Sequence, residues 1–126
     1  MSDEQIRDLW RTMTLGWAEG DASLFASVFT KDVDFVTVRG EELFGRDAVE
    51  AGHARLFATA YRDTTLRATV GLIRPLAPGL LMVHATSTVA PTGVTTHAQA
   101  VVRIDSFDGS ASIAAFHNMI PKGNPA

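Results

Sequence analysis

The chain has 126 residues, of which 46% are hydrophobic and 20% are charged, which is typical of one globular domain spanning residues 1–126. The formal net charge is −3 without a block of like charge, so the composition provides no basic surface for nucleic acid or an anionic membrane. Cysteine is absent, which excludes disulfides and thiolate metal sites and favours a reducing, cytoplasmic location.

The first predicted helix begins at Ser2, an N-cap residue whose capping box is completed by Gln5, and ends at Gly20. Its acidic first turn is unlike a signal peptide. One face is apolar at helical spacing. That face contains Ile6, Leu9, Trp10, Met13 and Trp17.

Asp21 is predicted to cap a second, short helix. The buried face of this helix is predicted to contain Leu24, Phe25, Val28 and Phe29. A strand is expected at Val33–Val38, because this segment is rich in β-branched and aromatic residues. The glycines Gly40 and Gly45 then indicate a turn.

A third helix is predicted from about Arg46 to Ala60, again with one apolar stripe. The stripe contains Val49, His53, Leu56, Phe57 and Ala60. Four strands are expected after it, separated by proline and glycine turns. They are Leu66–Arg74, Leu80–Val89, Thr95–Ile104 and Ala111–Met119. Helices followed by an antiparallel meander predict an α+β fold, and Pro121–Ala126 is expected to be a frayed end.

Two-residue turns at Thr92-Gly93 and Asp108-Gly109 would fix which residues of the last three strands share a face. One face is then almost wholly apolar and is expected to meet the helices. It contains Val83, Ala85, Ala98, Ala100, Val102, Ile104, Ile113, Ala115 and His117. The other face is mixed, as on a sheet that is solvated or covered by another subunit. It contains His84, Thr86, Thr88, His97, Gln99, Arg103, Phe116 and Asn118.

His53 is the best single candidate for chemistry, because it lies within an apolar helix stripe and imidazole transfers protons near neutral pH. A core histidine with one satisfied hydrogen bond is the alternative. His117 is the only polar residue of the predicted apolar sheet face, and Thr37 lies on the same side of its strand as Phe35. These two polar residues are expected to help hold a ligand. The alternatives are a strand-end position near the surface for His117 and, for Thr37, a threonine that suits a strand by its shape alone.

His84 and His97 are predicted to approach each other across a hairpin on the mixed face. A metal site there would need a third ligand, and the predicted face offers no carboxylate. We therefore predict no metal and no other cofactor. Nucleotide-binding and nucleophile motifs are also absent from the sequence.

Four segments resemble the nuclear transport factor 2-like superfamily, most closely its small SnoaL-like proteins. They are the Gly20-Asp21 turn, D-V-D-F-V-T-V-R-G at 32–40, F-G-R-D-A-V-E-x-x-H at 44–53, and I-A-A-F-H-N at 113–118. The resemblance covers about Trp10 to Asn118. It implies three helices packed on a curved, mainly antiparallel sheet, a conical pocket between them, and a homodimer through the outer sheet face.

Steroid isomerases of this superfamily use a carboxylate base and two proton donors. The resemblance places these positions at Thr37, Met13 and Ala100, and none of these residues can perform the required role. The superfamily's polyketide cyclases depend on a pocket acid, and no acid is predicted to face inward here. The resemblance therefore implies the pocket without this established chemistry.

We expect a pocket for a small, largely apolar molecule, such as a polycyclic or aromatic metabolite. If a reaction is catalysed, His53 is the predicted acid–base residue, and an isomerase- or cyclase-type step suits it. The predicted ligand contacts are Thr37, His117, Phe35, Phe57, Trp17 and Ala100. The alternative is a non-catalytic carrier or a dimeric assembly module. The expected partners are the small molecule and a second copy, without nucleic acid or membrane.

Overall fold

The structure is a computed structural model that describes residues 3–121. The helices are α1 (Asp3–Glu19), α2 (Ala22–Ala26) and α3 (Arg46–Ala58). The strands are β1 (Phe29–Val36), β2 (Glu42–Phe44), β3 (Thr65–Ala77), β4 (Leu80–Ala90), β5 (Val94–Ile104) and β6 (Ala111–Met119). The predicted cap at Ser2 and the tail from 122 onward lie outside the described residues. None of the helices within 3–121 is both long enough and apolar enough to cross a membrane.

The six strands form one open sheet in the order β2-β1-β6-β5-β4-β3. Only the β1–β6 pair is parallel among the pairs in the described chain; the others are antiparallel. The helices precede and interrupt this sheet along the chain and cover one of its faces. The predicted α+β class with a mainly antiparallel sheet is confirmed.

The first two helices meet at a tight corner, as predicted. Gly20 has a φ of +66°, the left-handed conformation that ends a helix cheaply only at glycine. The Asp21 carboxylate then accepts a hydrogen bond from the Leu24 backbone N–H at 3.0 Å, which caps α2. The α2 helix is shorter than predicted, because Val28 follows it and Phe29 already belongs to β1.

The first strand also differs from its prediction at both ends. It begins at Phe29 rather than Val33 and ends at Val36 rather than Val38. The chain turns here because the Gly40 N–H donates to the Thr37 carbonyl oxygen and the Thr37 N–H donates to that of Glu41, both at 2.9 Å. The turn returns the chain as the short strand β2, which the sequence analysis missed.

The core lies between the helices and the inner face of the sheet. The α1 stripe contributes Ile6, Trp10, Met13 and Trp17, all buried, while Leu9 is partly buried. On α3, Val49, His53 and Phe57 are buried, whereas Leu56 is partly exposed and Ala60 is exposed beyond the helix end. Both predicted stripes therefore face the sheet, with the α3 stripe narrower than expected.

The register of the last two hairpins differs from the prediction by two residues. Val89 pairs with Val94, which leaves a four-residue connection at 90–93 instead of a two-residue turn. Ile104 pairs with Ala111, and the six-residue connection between them is organised by the Asp105 carboxylate, which accepts backbone N–H bonds. A shift of two residues preserves the face of every side chain, so the predicted faces of β4 and β5 survive.

In β6 the predicted faces are wrong beyond Ile113. Val102 pairs with Ile113, but the adjacent Val101 pairs with Ala115, so one extra residue is inserted as a β-bulge. Because side chains alternate along a strand, this insertion reverses the faces that follow. Phe116 and Asn118 therefore lie on the inner face, while His117 lies on the outer face with Ala115.

Candidate functional site

A cavity of about 330 Å³ lies between the helices and the inner face of the sheet. Its wall is mainly aromatic and aliphatic, with contributions from all three helices and from every strand of the sheet. The aromatic part of the wall consists of Trp10, Trp17, Phe25, Phe35, Tyr61 and Phe116. The volume falls within the range of small-molecule sites in proteins.

His53 lies in the cavity wall, and its side chain is 7% exposed. Its Nδ1 is 2.8 Å from the carbonyl oxygen of Val49, one helical turn earlier. A carbonyl oxygen only accepts, so Nδ1 carries the proton and donates it to this bond. The neutral ring therefore presents its lone pair at Nε2, for which the described chain offers no hydrogen-bond partner.

Aromatic rings surround the imidazole. Phe25 stacks on it at a centroid distance of 4.2 Å, and Phe35 meets it edge-on at 5.6 Å. The rings of Phe57 and Trp17 lie edge-on to it, with centroid distances of 6.0 Å and 6.3 Å. Desolvation by this burial lowers the pKa of His53, partly opposed by the hydrogen bond to Val49. His53 is thus held as a neutral imidazole with an acceptor nitrogen.

The aromatic wall is itself held in place by hydrogen bonds. The indole Nε1 of Trp17 donates to the Thr64 hydroxyl at 2.8 Å, and that hydroxyl donates to the Tyr61 carbonyl oxygen at 2.6 Å. Thr64 is buried, and a buried polar group without a hydrogen bond would lower the stability of the fold. The two hydrogen bonds therefore satisfy the Thr64 hydroxyl and the Trp17 indole N–H. It fixes the orientation of Trp17 beside His53.

Thr37 lines the cavity, but its hydroxyl is already engaged. The oxygen accepts N–H bonds from Arg39 at 3.3 Å and from Glu41 at 3.1 Å, which stabilises the turn after β1. The hydroxyl also donates a long hydrogen bond of 3.5 Å to the Oε1 atom of the Glu41 carboxylate. Its main observed role is therefore to hold the rim of the cavity.

The structure brings together some of the predicted site residues and separates others. Trp17, Phe35, Thr37 and His53 share the cavity wall. Two others lie outside that wall: Phe57 packs behind His53 and Trp17, and Ala100 is buried within the sheet core. His117 lies on the exposed outer face because of the bulge in β6. Placing His117 in the pocket was wrong.

Sequence reasoning missed a polar part of the wall formed by Ser87, Thr96 and Asn118. The Oδ1 atom of Asn118 is buried and has no hydrogen-bond partner in the described chain. An unsatisfied buried acceptor costs about 1–3 kcal/mol. The predicted alternation of faces along β4 and β5 places Ser87 and Thr96 on the inner face, so these two could have been identified from the sequence. Asn118 could not, because the bulge in β6 moves it to the inner face.

The charged residues of the wall lie at the rim. Arg39 and Glu41 belong to the exposed turn after β1, and Arg55 lies on the exposed side of α3. No carboxylate joins His53 in the buried part of the described wall. The interior of the cavity is consequently aromatic and aliphatic, with neutral polar groups.

On the outer face, His84 and His97 meet as predicted. Nε2 of His97 is 3.0 Å from Nδ1 of His84, and the Gln99 amide nitrogen is 3.3 Å from the other nitrogen of His84. Within residues 3–121, no three histidine or carboxylate side chains are grouped to hold a metal ion. The pair lies on the opposite side of the sheet from the cavity.

Solved structures of other proteins are similar to this fold. A cystatin-like domain of unknown function from Nostoc punctiforme is 25% identical, with a TM-score of 0.86 over 94% of this chain and 76% of its own. An NTF-2 like protein of unknown function from Shewanella oneidensis is 17% identical, with a TM-score of 0.78 over 94% and 99%. The chain has the nuclear transport factor 2-like fold.

A ketosteroid isomerase-like protein from Erwinia carotovora atroseptica shares this fold at 14% identity, with a TM-score of 0.71 over 91% of this chain and 92% of its own. No protein-family model matches the chain, and no curated protein matches its sequence. The similarity thus establishes the nuclear transport factor 2-like fold, and the narrower SnoaL-like assignment stays a prediction.

Two of the three positions that the resemblance assigned to isomerase residues lie at the cavity. Met13 and Thr37 line it, while Ala100 lies outside its wall. A thioether and an alkyl group supply no strong hydrogen-bond donor, and a threonine hydroxyl is no base at neutral pH. These three side chains therefore do not supply a carboxylate base and two proton donors.

Proposed function

We propose that the chain binds a small, largely apolar molecule in its internal cavity. The observation that carries this proposal is the cavity of about 330 Å³ with a mainly aromatic and aliphatic wall. Burial of an apolar molecule against such a wall is favourable by roughly 25 cal/mol for each Å² removed from water. Flat aromatic or polycyclic molecules suit the ring-lined wall.

The alternative of a purely structural module receives less support. Such a module would need its interior filled by the large side chains of α1 and α3. Trp17 and Phe57 pack against each other at 5.1 Å and leave the cavity open beside them. The unpaired Asn118 oxygen in the wall adds a cost without benefit to a structure that binds nothing.

Binding can be followed at the two tryptophans, Trp10 and Trp17, because both line the cavity and the chain has no other. We expect methylnaphthalene to shift both indole N–H resonances of isotopically labelled protein in a saturable manner. Ser87→Phe, which places a ring within the cavity, should abolish the shifts while the protein remains folded. Unshifted indole resonances in the wild-type protein at the solubility limit of the probe would overturn the binding proposal.

A proton-transfer enzyme is our second candidate function. The favouring observation is the 2.8 Å contact between His53 Nδ1 and the Val49 carbonyl oxygen, which assigns the proton to Nδ1 and leaves Nε2 as an acceptor in the cavity wall. Such a nitrogen can remove a proton from a bound substrate, as isomerase- and cyclase-type steps require. A carrier would need the cavity but not this nitrogen, so substitution of His53 separates the two functions.

We also propose a homodimer through the outer sheet face. This face carries the half-buried His84–His97 pair and the exposed apolar residues Leu72 and Met119, which are 43% and 46% exposed. A second copy would remove these apolar surfaces from water. Sedimentation at micromolar concentration should give twice the chain mass of 13.5 kDa, and Met119→Lys should shift the protein towards monomer. A wild-type protein that sediments as a monomer rules this interface out.

A further inference from the structure

Three uncharged polar side chains form one patch on the sheet wall of the cavity. Ser87 on β4 lies directly opposite Thr96 on β5. Asn118 on β6 lies opposite Ala98, two residues further along β5. Opposed residues and next-but-one residues share a face of a sheet, so the three side chains are neighbours across three strands. We refer to Ser87, Thr96 and Asn118 as the polar patch.

The side chains of the polar patch have no hydrogen-bond partners within residues 3–121. Asn118 is the extreme case, because its Oδ1 is fully buried. On the other face of the same strands, Thr88 and Thr95 satisfy each other with an Oγ1–Oγ1 distance of 3.2 Å. Buried polar groups in folded proteins are nearly always paired. The unpaired Asn118 oxygen therefore indicates a partner that enters the cavity, and the free hydroxyls of Ser87 and Thr96 lie beside it.

The chemistry of the patch defines that partner. The charged residues of the wall belong to the turn after β1 and to α3, and none lies on the strands that carry the patch. An ionised ligand group would be buried here without a counter-ion, which is strongly unfavourable. A hydroxyl group both donates and accepts, so it can donate to Asn118 Oδ1 and accept from the Ser87 or Thr96 hydroxyl.

We propose that the polar patch is a subsite for an uncharged hydroxyl group. The ligand is then an aromatic or alicyclic alcohol or phenol, and not a hydrocarbon or a carboxylic acid. Its rings lie against the aromatic wall, and its hydroxyl group meets Asn118. This inference rests on the proposed function, because it assigns one functional group of the molecule that the cavity binds.

Naphthol, methylnaphthalene and naphthoate test the subsite, because they share one ring system and differ in one substituent: the hydroxyl and methyl groups are of similar size, and the carboxylate is larger and charged. We expect the wild-type protein to bind naphthol about 10-fold more tightly than methylnaphthalene, as for one added neutral hydrogen bond, and to bind naphthoate most weakly. In Asn118→Leu, which keeps the size of the side chain, the preference for naphthol should disappear and methylnaphthalene affinity should be retained. Gln99→Leu makes the same amide-to-leucine change on the outer face and should keep the wild-type preference.

The outcomes separate the subsite from the cavity. If naphthol and methylnaphthalene both bind, and Asn118→Leu leaves their affinity ratio unchanged, the subsite is wrong and the binding function stands. If neither compound binds the wild-type protein, the proposed function fails and the subsite fails with it. Thermal unfolding of Asn118→Leu provides a second reading, because loss of an unpaired buried acceptor should leave the protein at least as stable as the wild type. A large fall in melting temperature would show that the amide is paired within the protein, which also contradicts the subsite.

Discussion

Replacement of Gly16 by alanine should destabilise the protein by roughly 3 kcal/mol, the upper part of the range for overpacked sites. Gly16 lies where α1 crosses α2, and a Cβ atom there would be 2.6 Å from the backbone nitrogen of Phe25 and 2.9 Å from its Cα. These are backbone atoms of a capped helix, so they cannot move aside as a side chain could. The Gly16 carbonyl oxygen also accepts the Asp21 N–H at 2.8 Å, which fixes the corner.

Gly52 provides a matched control for this prediction. It also lies inside a helix, α3, but its Cβ would meet only the terminal methyl of Leu43, at 3.4 Å. Both substitutions gain the same helix propensity, about 1 kcal/mol, so the difference between them isolates the clash. Urea unfolding of Gly52→Ala should show wild-type or slightly higher stability. Equal free energies of unfolding for the two variants would contradict the close approach of α1 and α2.

Substitution of His53 should remove most proton-transfer activity if the cavity is catalytic. Nitrobenzisoxazole tests this with a single base: the base takes the ring C–H proton, the C–H electrons form the nitrile, and the N–O bond breaks to release a coloured phenolate. We expect wild-type protein to accelerate this reaction and His53→Phe to lose about 100-fold or more, the usual contribution of a positioned base. Phenylalanine keeps the ring packed against Phe25 and Phe35.

The pH profile distinguishes His53 from a surface histidine. Only neutral imidazole accepts a proton, and burial lowers the pKa of His53. The rate should therefore stay constant as pH falls past 6.5, the ordinary value for histidine, and should decline only as pH falls through the lowered pKa. Absorbance of the phenolate measures both the rate lost in His53→Phe and the dependence of the rate on pH. His97→Phe, on the outer face, is the control and should keep the wild-type rate. A rate that halves near pH 6.5, or one that survives in His53→Phe, would exclude His53 as the base.

Local signals in the sequence were sufficient for much of the fold. The Gly20-Asp21 corner, the stripes of α1 and α3, and the strands β4, β5 and β6 each depend on periodicity or on one turn residue. Two features escaped because they depend on distant partners. The start of β1 at Phe29 is set by its parallel pairing with β6, and β2 exists only because it pairs with β1. The three residues of β2 have no sequence pattern from which a strand could be predicted.

The candidate site was predicted on the helices and along the first strand and its turn, but not on β4, β5 and β6. His53 follows from its position in an apolar α3 stripe, and Trp17 follows from the α1 stripe. The sheet side was reversed at Phe116, His117 and Asn118, because one extra residue in β6 exchanges the two faces and leaves no mark in composition. The two-residue errors at the hairpins were harmless for the opposite reason, since an even shift preserves each face.

The position of β6 has a consequence for biosynthesis. This last strand of the described chain lies between β1 and β5, so it joins the N-terminal hairpin to the three-stranded meander. A ribosome delivers the chain from its N-terminus, so the two parts of the sheet wait with open edges until residues 111–119 emerge. Until then the edge of β1 that later pairs with β6 has no hydrogen-bond partner, and completion of the sheet and enclosure of the cavity become one late event.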